Sequence, residues 1–479
     1  MLPDKRNEVA VRQVSDEMEH SRILLAAYHF PPSAAVGGLR ISRFARFLPE
    51  FGWRPYVLTV KDADRDDKEG TDHSRLVGLD GISITRTREL SGILDAYMWI
   101  KRKVQSLRMN RPSSSAPVSV PVRSARRESL AQRLKRYVTS LLVLLPDEHK
   151  NWAVYTAIPA IRLIRRHRIG YILTSAPPHS VHFIGLVAKM FTRVVWIADF
   201  RDPWLEMLRD APRQEQSRLS DRLGAWMEAR VMDHADKVLT TTERIRQSMI
   251  ARYPHLPAEK FSCLPNGIDT ARLAGSEDVD KYGPLTIAYA GSLYLDRTPE
   301  PLFEALGALV NEGRACLDDF RVKLVGNCRT IGEVDTETVA RRHGIAPAVE
   351  VVDRVPYAEV VPIMRRSHLL LVLAPPKNTL MLPAKIFDYL GSGTKLLALA
   401  DAGATADLIL ETDGGKCFSQ NDVAGLKEYL AELLRDGAYR SLRNDPASFR
   451  RYDARRLTGQ LAAELAEQCA RTVRVTVRT

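Results

Sequence analysis

Residues 23–60, ILLAAYHFPPSAAVGGLRISRFARFLPEFGWRPYVLTV, decide the fold. Residues 23–27 form a short, wholly apolar run, and YHFPPSAAVGGLR is a loop rich in Pro and Gly. ISRFARFLPEFG has the spacing of an amphipathic helix, and PYVLTV is apolar again. An apolar run without alternation is what a strand covered on both faces looks like. The order strand, loop, helix, strand therefore predicts the repeating unit of a parallel sheet. Further runs of this kind are YILT at 171–174, VVWIA at 194–198 and VLTT at 238–241, separated by helical spacing such as that of 152–166. A second series opens near Pro284 with LTIAYA, followed by RVKLVG, VEVV, LLLVLAPP and KLLALA.

These runs predict an α/β fold of two facing, Rossmann-like, doubly wound domains with a cleft between them. Residues 1–20 read as a polar tail, 21–273 as the first domain, 283–450 as the second, and 451–479 as a helix free to pack back on either domain. The turn-rich LPNGIDTARLAGSEDVDKYG marks the linker.

The chain has 479 residues, 45% hydrophobic and 27% charged, which excludes collagen-like, mucin-like and wholly disordered classes. Its net charge of +12 invites a polyanion partner. Residues 1–273 hold 44 Lys+Arg against 30 Asp+Glu, whereas 274–479 hold 26 against 28, so the excess lies in the first half. Residues 101–136 alone carry 11 basic residues and one acid, Glu128. That segment is rich in Pro, Ser and Arg and reads as a mobile insertion, followed by a basic amphipathic helix over 129–145. Five scattered cysteines without a C-x-x-C pair fit a reducing compartment and supply no metal framework. The expected location is cytoplasmic, peripheral on the inner face of the membrane. The expected attachment is an anionic surface met through residues 101–145. Without aromatic interleaving in 101–136, no nucleic-acid partner is expected.

Ligands of open parallel sheets bind beyond the carboxyl ends of the strands. Four constellations lie there. Gly37, Gly38 and Arg40 follow the first strand, where backbone N–H groups and a guanidinium suit an anion; the bland reading is a Gly-rich turn with a solvated Arg. His179 and His182 follow the PP of SAPPHSVHFIG, and Asp199, Arg201 and Asp202 follow the next strand in ADFRDPW. An imidazole beside carboxylates can orient or deprotonate a hydroxyl. Gly291 and Arg297 follow the first strand of the second domain. Lys385 and Asp388 lie in LPAKIFDYLGSG, where a cation in a first helical turn asks for an anion; a plain surface pair is the alternative.

Together these strings resemble the family 4 glycosyltransferases, retaining enzymes of the GT-B fold, and in particular a bacterial subgroup with PPxSxH, DFRDPW and PxKxF[DE]Y motifs. The resemblance spans nearly the whole chain. It implies a nucleotide-diphosphate sugar as donor substrate, a glycan or lipid-linked acceptor, no cofactor and no metal. Arg297 and Lys385 would meet the diphosphate, Asp388 the ribose, and Gly37, Gly38, Arg40 and Gly291 the phosphate side of the donor. His182 would stand beside the transferred sugar, with Asp199 and Asp202 on the acceptor side. The implied reaction is hexosyl transfer with retention in surface polysaccharide or lipid-linked glycan synthesis. Two departures stand out: Leu380 replaces the first of the family's paired glutamates, and Ser292 replaces an Arg of the diphosphate loop. A non-hydrolysing UDP-sugar 2-epimerase of the same architecture and a non-catalytic basic binding protein are the competing readings.

Overall fold

The computed structural model describes residues 22–64, 70–89, 146–210, 218–273, 279–293, 297–374, 379–435 and 437–476. The basic segment 101–136, the helix expected over 129–145 and the N-terminal tail lie outside these residues. The chain divides into two compact units, Met1–Ala45 with Gly52–Leu239 and Arg46–Phe51 with Thr240–Thr479. The division falls at 239/240, upstream of the linker expected after residue 273.

The first sheet has seven strands: β1 (Arg22–Ala27), β2 (Arg54–Val60), β3 (Ser83–Thr87), β4 (Tyr171–Ala176), β5 (Val195–Phe200), β6 (Lys237–Thr240) and β7 (Phe261–Cys263). Their order is β3-β2-β1-β4-β5-β6-β7, and β1 runs parallel to both β2 and β4. Residues 23–26 of β1 are fully buried, as the unbroken apolar run requires. Edge strand β3, SITRT, is partly exposed and has a single apolar residue, Ile84, so no apolar run announces it.

The second sheet has six strands: β8 (Leu285–Ala290), β9 (Phe320–Val325), β12 (Val349–Val352), β13 (Leu369–Leu373), β14 (Lys395–Leu399) and β15 (Gly415–Phe418). The two-residue strands β10 (Thr330–Ile331) and β11 (Val334–Asp335) form a separate antiparallel pair. The order β12-β9-β8-β13-β14-β15 is parallel throughout. One face packs on Leu302, Phe303, Leu306, Leu426 and Leu430, the other on Ile386, Phe387, Leu390, Leu408 and Ile409. Helices thus cover both faces, the doubly wound arrangement expected.

The C-terminal helix Ala454–Thr476 belongs to the second unit and packs on the turn Leu48–Phe51, with Arg455 paired to Glu50. Gly459 allows this approach, since a Cβ there would stand 2.9 Å from the Phe51 ring. No described helix is long and apolar enough to cross a membrane.

Candidate active site

In each sheet the chain reverses its winding at one point, between β1 and β4 in the first and between β8 and β13 in the second. Loops leaving the carboxyl ends of such neighbours diverge and leave room for a ligand. All four constellations anticipated from the sequence lie at these two points.

In the first unit the helix Leu39–Phe47 follows a single 3-10 turn, Val36–Gly38. The two glycines serve close approach by protein. A Cβ on Gly37 would lie 3.0 Å from the Arg201 guanidinium, and one on Gly38 would lie 3.2 Å from Phe30 Cα. Arg201 clamps the loops together, donating from Nε to Ala176 O (2.7 Å), from Nη1 to Gly37 O (2.6 Å) and from Nη2 to Pro177 O (2.6 Å). Arg40, expected at a phosphate, instead makes a buried bidentate pair with Asp199, Nε to Oδ2 at 3.0 Å and Nη2 to Oδ1 at 2.9 Å. Ser175 Oγ donates to the same carboxylate at 2.7 Å. Asp199 is wholly buried and Asp202 half-buried. Burial holds the Asp202 carboxyl above its usual range, against the pull of Arg201 and with the help of Asp199.

His182 is the second residue of the helix Val181–Phe191, whereas His179 precedes that helix. Both are buried. His182 Nδ1 lies 2.9 Å from Thr174 Oγ1, which accepts a hydrogen bond from Trp196 Nε1 at 2.8 Å. When the Thr174 hydroxyl donates to Nδ1, the His182 ring proton lies on Nε2. Among the described residues, His182 Nε2, both ring nitrogens of His179, and Trp204 Nε1 are buried without a hydrogen-bond partner. The rings stack, His179 on Trp204 at 4.9 Å and His182 on Phe200 at 4.4 Å. Burial, aided by Arg201, pushes His179 down to about 3; burial and His179 push His182 well below the usual imidazole range. Both are thus neutral hydrogen-bonding groups at physiological pH. A cluster of unspent buried polar atoms is costly unless something uses it. Contact with a ligand requires the stacked aromatic cover to shift.

The amino end of the Val181–Phe191 helix is filled by the protein itself. Asp147 accepts from Ser180 N and Ser180 Oγ, both at 2.7 Å. Sequence reading did not find this capping carboxylate, because it lies 33 residues upstream.

In the second unit, Lys385 opens the short helix Lys385–Gly391. Its Nζ sits 3.6 Å from the centroid of the Tyr289 ring. A Cβ on Gly291 would fall 2.3 Å from that nitrogen, and the residue has φ +148°; the missing side chain is the socket the amine fills. A Cβ on Gly326, at φ +115°, would fall 2.3 Å from the Gly291 carbonyl oxygen. Cys328 Sγ donates to Gly291 O at 3.3 Å, and Tyr389 Oη accepts from Ala290 N at 2.7 Å. Burial, with Arg297 nearby, pushes the Lys385 ammonium down to about 7. Two half-buried cations held together are the arrangement a polyphosphate would neutralise. Asp388 lies one turn on, half-buried. Leu380 and Ser292 contribute backbone: Leu380 O accepts from Thr242 Oγ1 at 2.6 Å, and Ser292 O from Tyr289 Oη at 2.8 Å. Among the described residues no three His, Cys, Asp or Glu side chains converge as a metal site requires.

Residues 37–267 match the family model of the glycosyl transferase 4-like domain. The fold is glycosyltransferase-like, of the GT-B type. Solved structures agree on it. A glycosyltransferase from Rickettsia africae superposes with a TM-score of 0.55 at 10% identity, over 93% of this chain and 98% of that one. Sucrose-phosphate synthase from Thermosynechococcus elongatus gives 0.52 at 14%, over 96% and 99%. A putative UDP-N-acetylglucosamine 2-epimerase from Listeria monocytogenes gives 0.51 at 12%, over 93% and 96%, so the architecture is shared across reaction types. A search of curated protein sequences finds no match.

Proposed function

We propose that the protein is a hexosyltransferase that moves a sugar from a nucleotide-diphosphate donor to a hydroxyl acceptor with retention of configuration. The observation that carries this reading is the desolvated Lys385 amine in the Gly291 socket beside Arg297. Those cations take the diphosphate and stabilise the charge that grows on it as the glycosidic bond breaks. Asp388 takes the ribose hydroxyls. In the first unit the neutral His182 donates to a hydroxyl of the transferred sugar, and Asp202 lies on the acceptor side. Gly37, Gly38, Arg40 and Asp199 frame that site instead of touching phosphate, since their close contacts lie within the protein. In this scheme the departing phosphate receives the acceptor proton, so neither a metal nor a nucleophilic carboxylate takes part. The acceptor belongs to surface polysaccharide or lipid-linked glycan synthesis at the cytoplasmic face of the membrane, with the basic segment 101–136 as the membrane address.

Incubation with labelled UDP- and GDP-sugars and a lipid-linked acceptor extract tests the reaction. Transfer to acceptor supports it, and conversion of a UDP-sugar with no acceptor present points to the 2-epimerase chemistry that the shared architecture also admits. Unchanged donor binding in Asp388→Ala removes the ribose assignment.

A further inference from the structure

At the opposite end of the second sheet, four segments meet around the amino-terminal ends of β8 and β13. Tyr282 N donates to Arg366 O at 3.0 Å, and Lys281 Nζ to Ser367 O at 2.6 Å. Tyr439 Oη donates to Gly283 O at 3.3 Å, and Asn444 Nδ2 to Thr394 O at 2.7 Å. These contacts gather Lys281, Arg366, Arg440 and Arg443 on one rim. Other cations of the same sheet find carboxylates: Lys323 pairs with Glu350 and Lys395 with Asp413. The four do not. Among the described residues Lys281 Nζ meets a carbonyl and the Thr394 hydroxyl, and Arg366 meets Asp280 O and the Tyr282 ring at 4.4 Å. Arg440 lies over Tyr439 at 5.4 Å, and Arg443 Nη1 donates to Arg440 O and Leu442 O.

Beneath them lies His368, wholly buried. Its Nδ1 accepts from Thr286 N at 3.0 Å, which places the ring proton on Nε2, a buried donor with no hydrogen-bond acceptor among the described residues. Burial with Lys281, Arg443 and Arg440 pushes His368 down to about 4, and burial with Arg443 and Arg365 pushes Lys281 down to about 8. The mutual effects place these groups close together. Like charges gathered without counter-ions repel, and a buried donor without an acceptor is costly. A ligand that offers only acceptors and negative charge relieves both.

We propose that Lys281, Arg366, Arg440 and Arg443, with His368 behind them, form a second anion site that binds a phosphate group, remote from Lys385. A tetrahedral phosphate presents enough oxygens for two guanidiniums and an ammonium at once. The group comes from a soluble phosphate compound or from a lipid headgroup, and the two sources separate experimentally.

The test uses the full chain carrying Lys385→Met, so that the proposed donor site does not contribute. Calorimetric titration with pyrophosphate is expected to show binding that weakens at least tenfold in Arg440→Glu/Arg443→Glu, two exposed positions, and separately in Lys281→Gln. Arg329→Glu, at an exposed surface pair with Asp353, should leave it unchanged. Flotation with phosphatidic acid vesicles, against pure phosphatidylcholine, forms the second arm. Binding of pyrophosphate assigns a soluble ligand; binding of phosphatidic acid vesicles alone, lost in the same variants, assigns a headgroup. Binding in neither arm, or binding indifferent to both variants, overturns the site.

Discussion

In the proposed donor site a single amine carries the pH dependence. With Lys385 near pH 7 in the free protein, much of it is uncharged under physiological conditions. A bound diphosphate favours the charged form, so binding takes up a proton. UDP affinity should therefore fall as pH rises above 7, by up to about tenfold per unit. Calorimetric enthalpies should vary with the ionisation heat of the buffer, and Lys385→Arg, charged throughout, should abolish the pH dependence. Equal affinity at pH 6.5 and 8.5 in the unaltered protein would contradict it. At Asp199 the expectation concerns stability. Asp199→Ala strands the Arg40 guanidinium, which is only 4% exposed, and should cost about 3–5 kcal/mol in urea unfolding.

At the scale of the element, the helix Val181–Phe191 and strand β5 act as one device. Gly185 faces Trp196, and a Cβ there would lie 2.1 Å from Trp196 Nε1. Gly185→Ala must displace the indole and with it the chain from Trp196 through Thr174 to His182. A loss of about 1–3 kcal/mol is expected from the overpacking, together with a fall in kcat larger than any change in donor affinity. A melting curve and steady-state kinetics on the same preparation check both. This device also shows what the sequence does and does not disclose. Runs such as ILLAA and LLLVL state their strands outright, because burial on both faces leaves a local, continuous signature. The loops after those strands could be nominated by position alone. What could not be read is which polar atom meets which: Arg40 to Asp199 spans 159 residues, and Arg201 to Gly37 spans 164. Periodicity carries no information about such pairs, so the sequence offers Arg40 as a phosphate ligand and gives no sign of its pair with Asp199. Gly291 is placed on the phosphate side of the donor by resemblance, but its role as the socket of Lys385 depends on a helix 94 residues further on.

Over the whole molecule, three buried imidazoles make acid stability a measurable quantity. His179, His182 and His368 are held below the ordinary imidazole range by burial. Unfolded, they take up protons below about pH 6.5; folded, they do so only at lower pH. Stability is thus complete above pH 6.5 and falls as pH drops toward the folded values, about 4 for His368 and about 3 for His179. Each histidine should cost about 2 kcal/mol between pH 6.5 and 5. Urea midpoints at the two pH values, compared with those of His368→Phe, measure one share of it. The charge excess of the first 273 residues belongs to this scale as well. Deleting 101–136 should reduce flotation with anionic liposomes at low salt and leave neutral liposomes unaffected. Finally, Asp147 already sits on the N–H and hydroxyl of Ser180. A competitor aimed at the first unit therefore gains nothing from an acidic group there and meets repulsion instead. Uncharged polyol fragments suit that half and dianionic fragments the other, so a screen that pools both chemistries should return hits of opposite character for the two units.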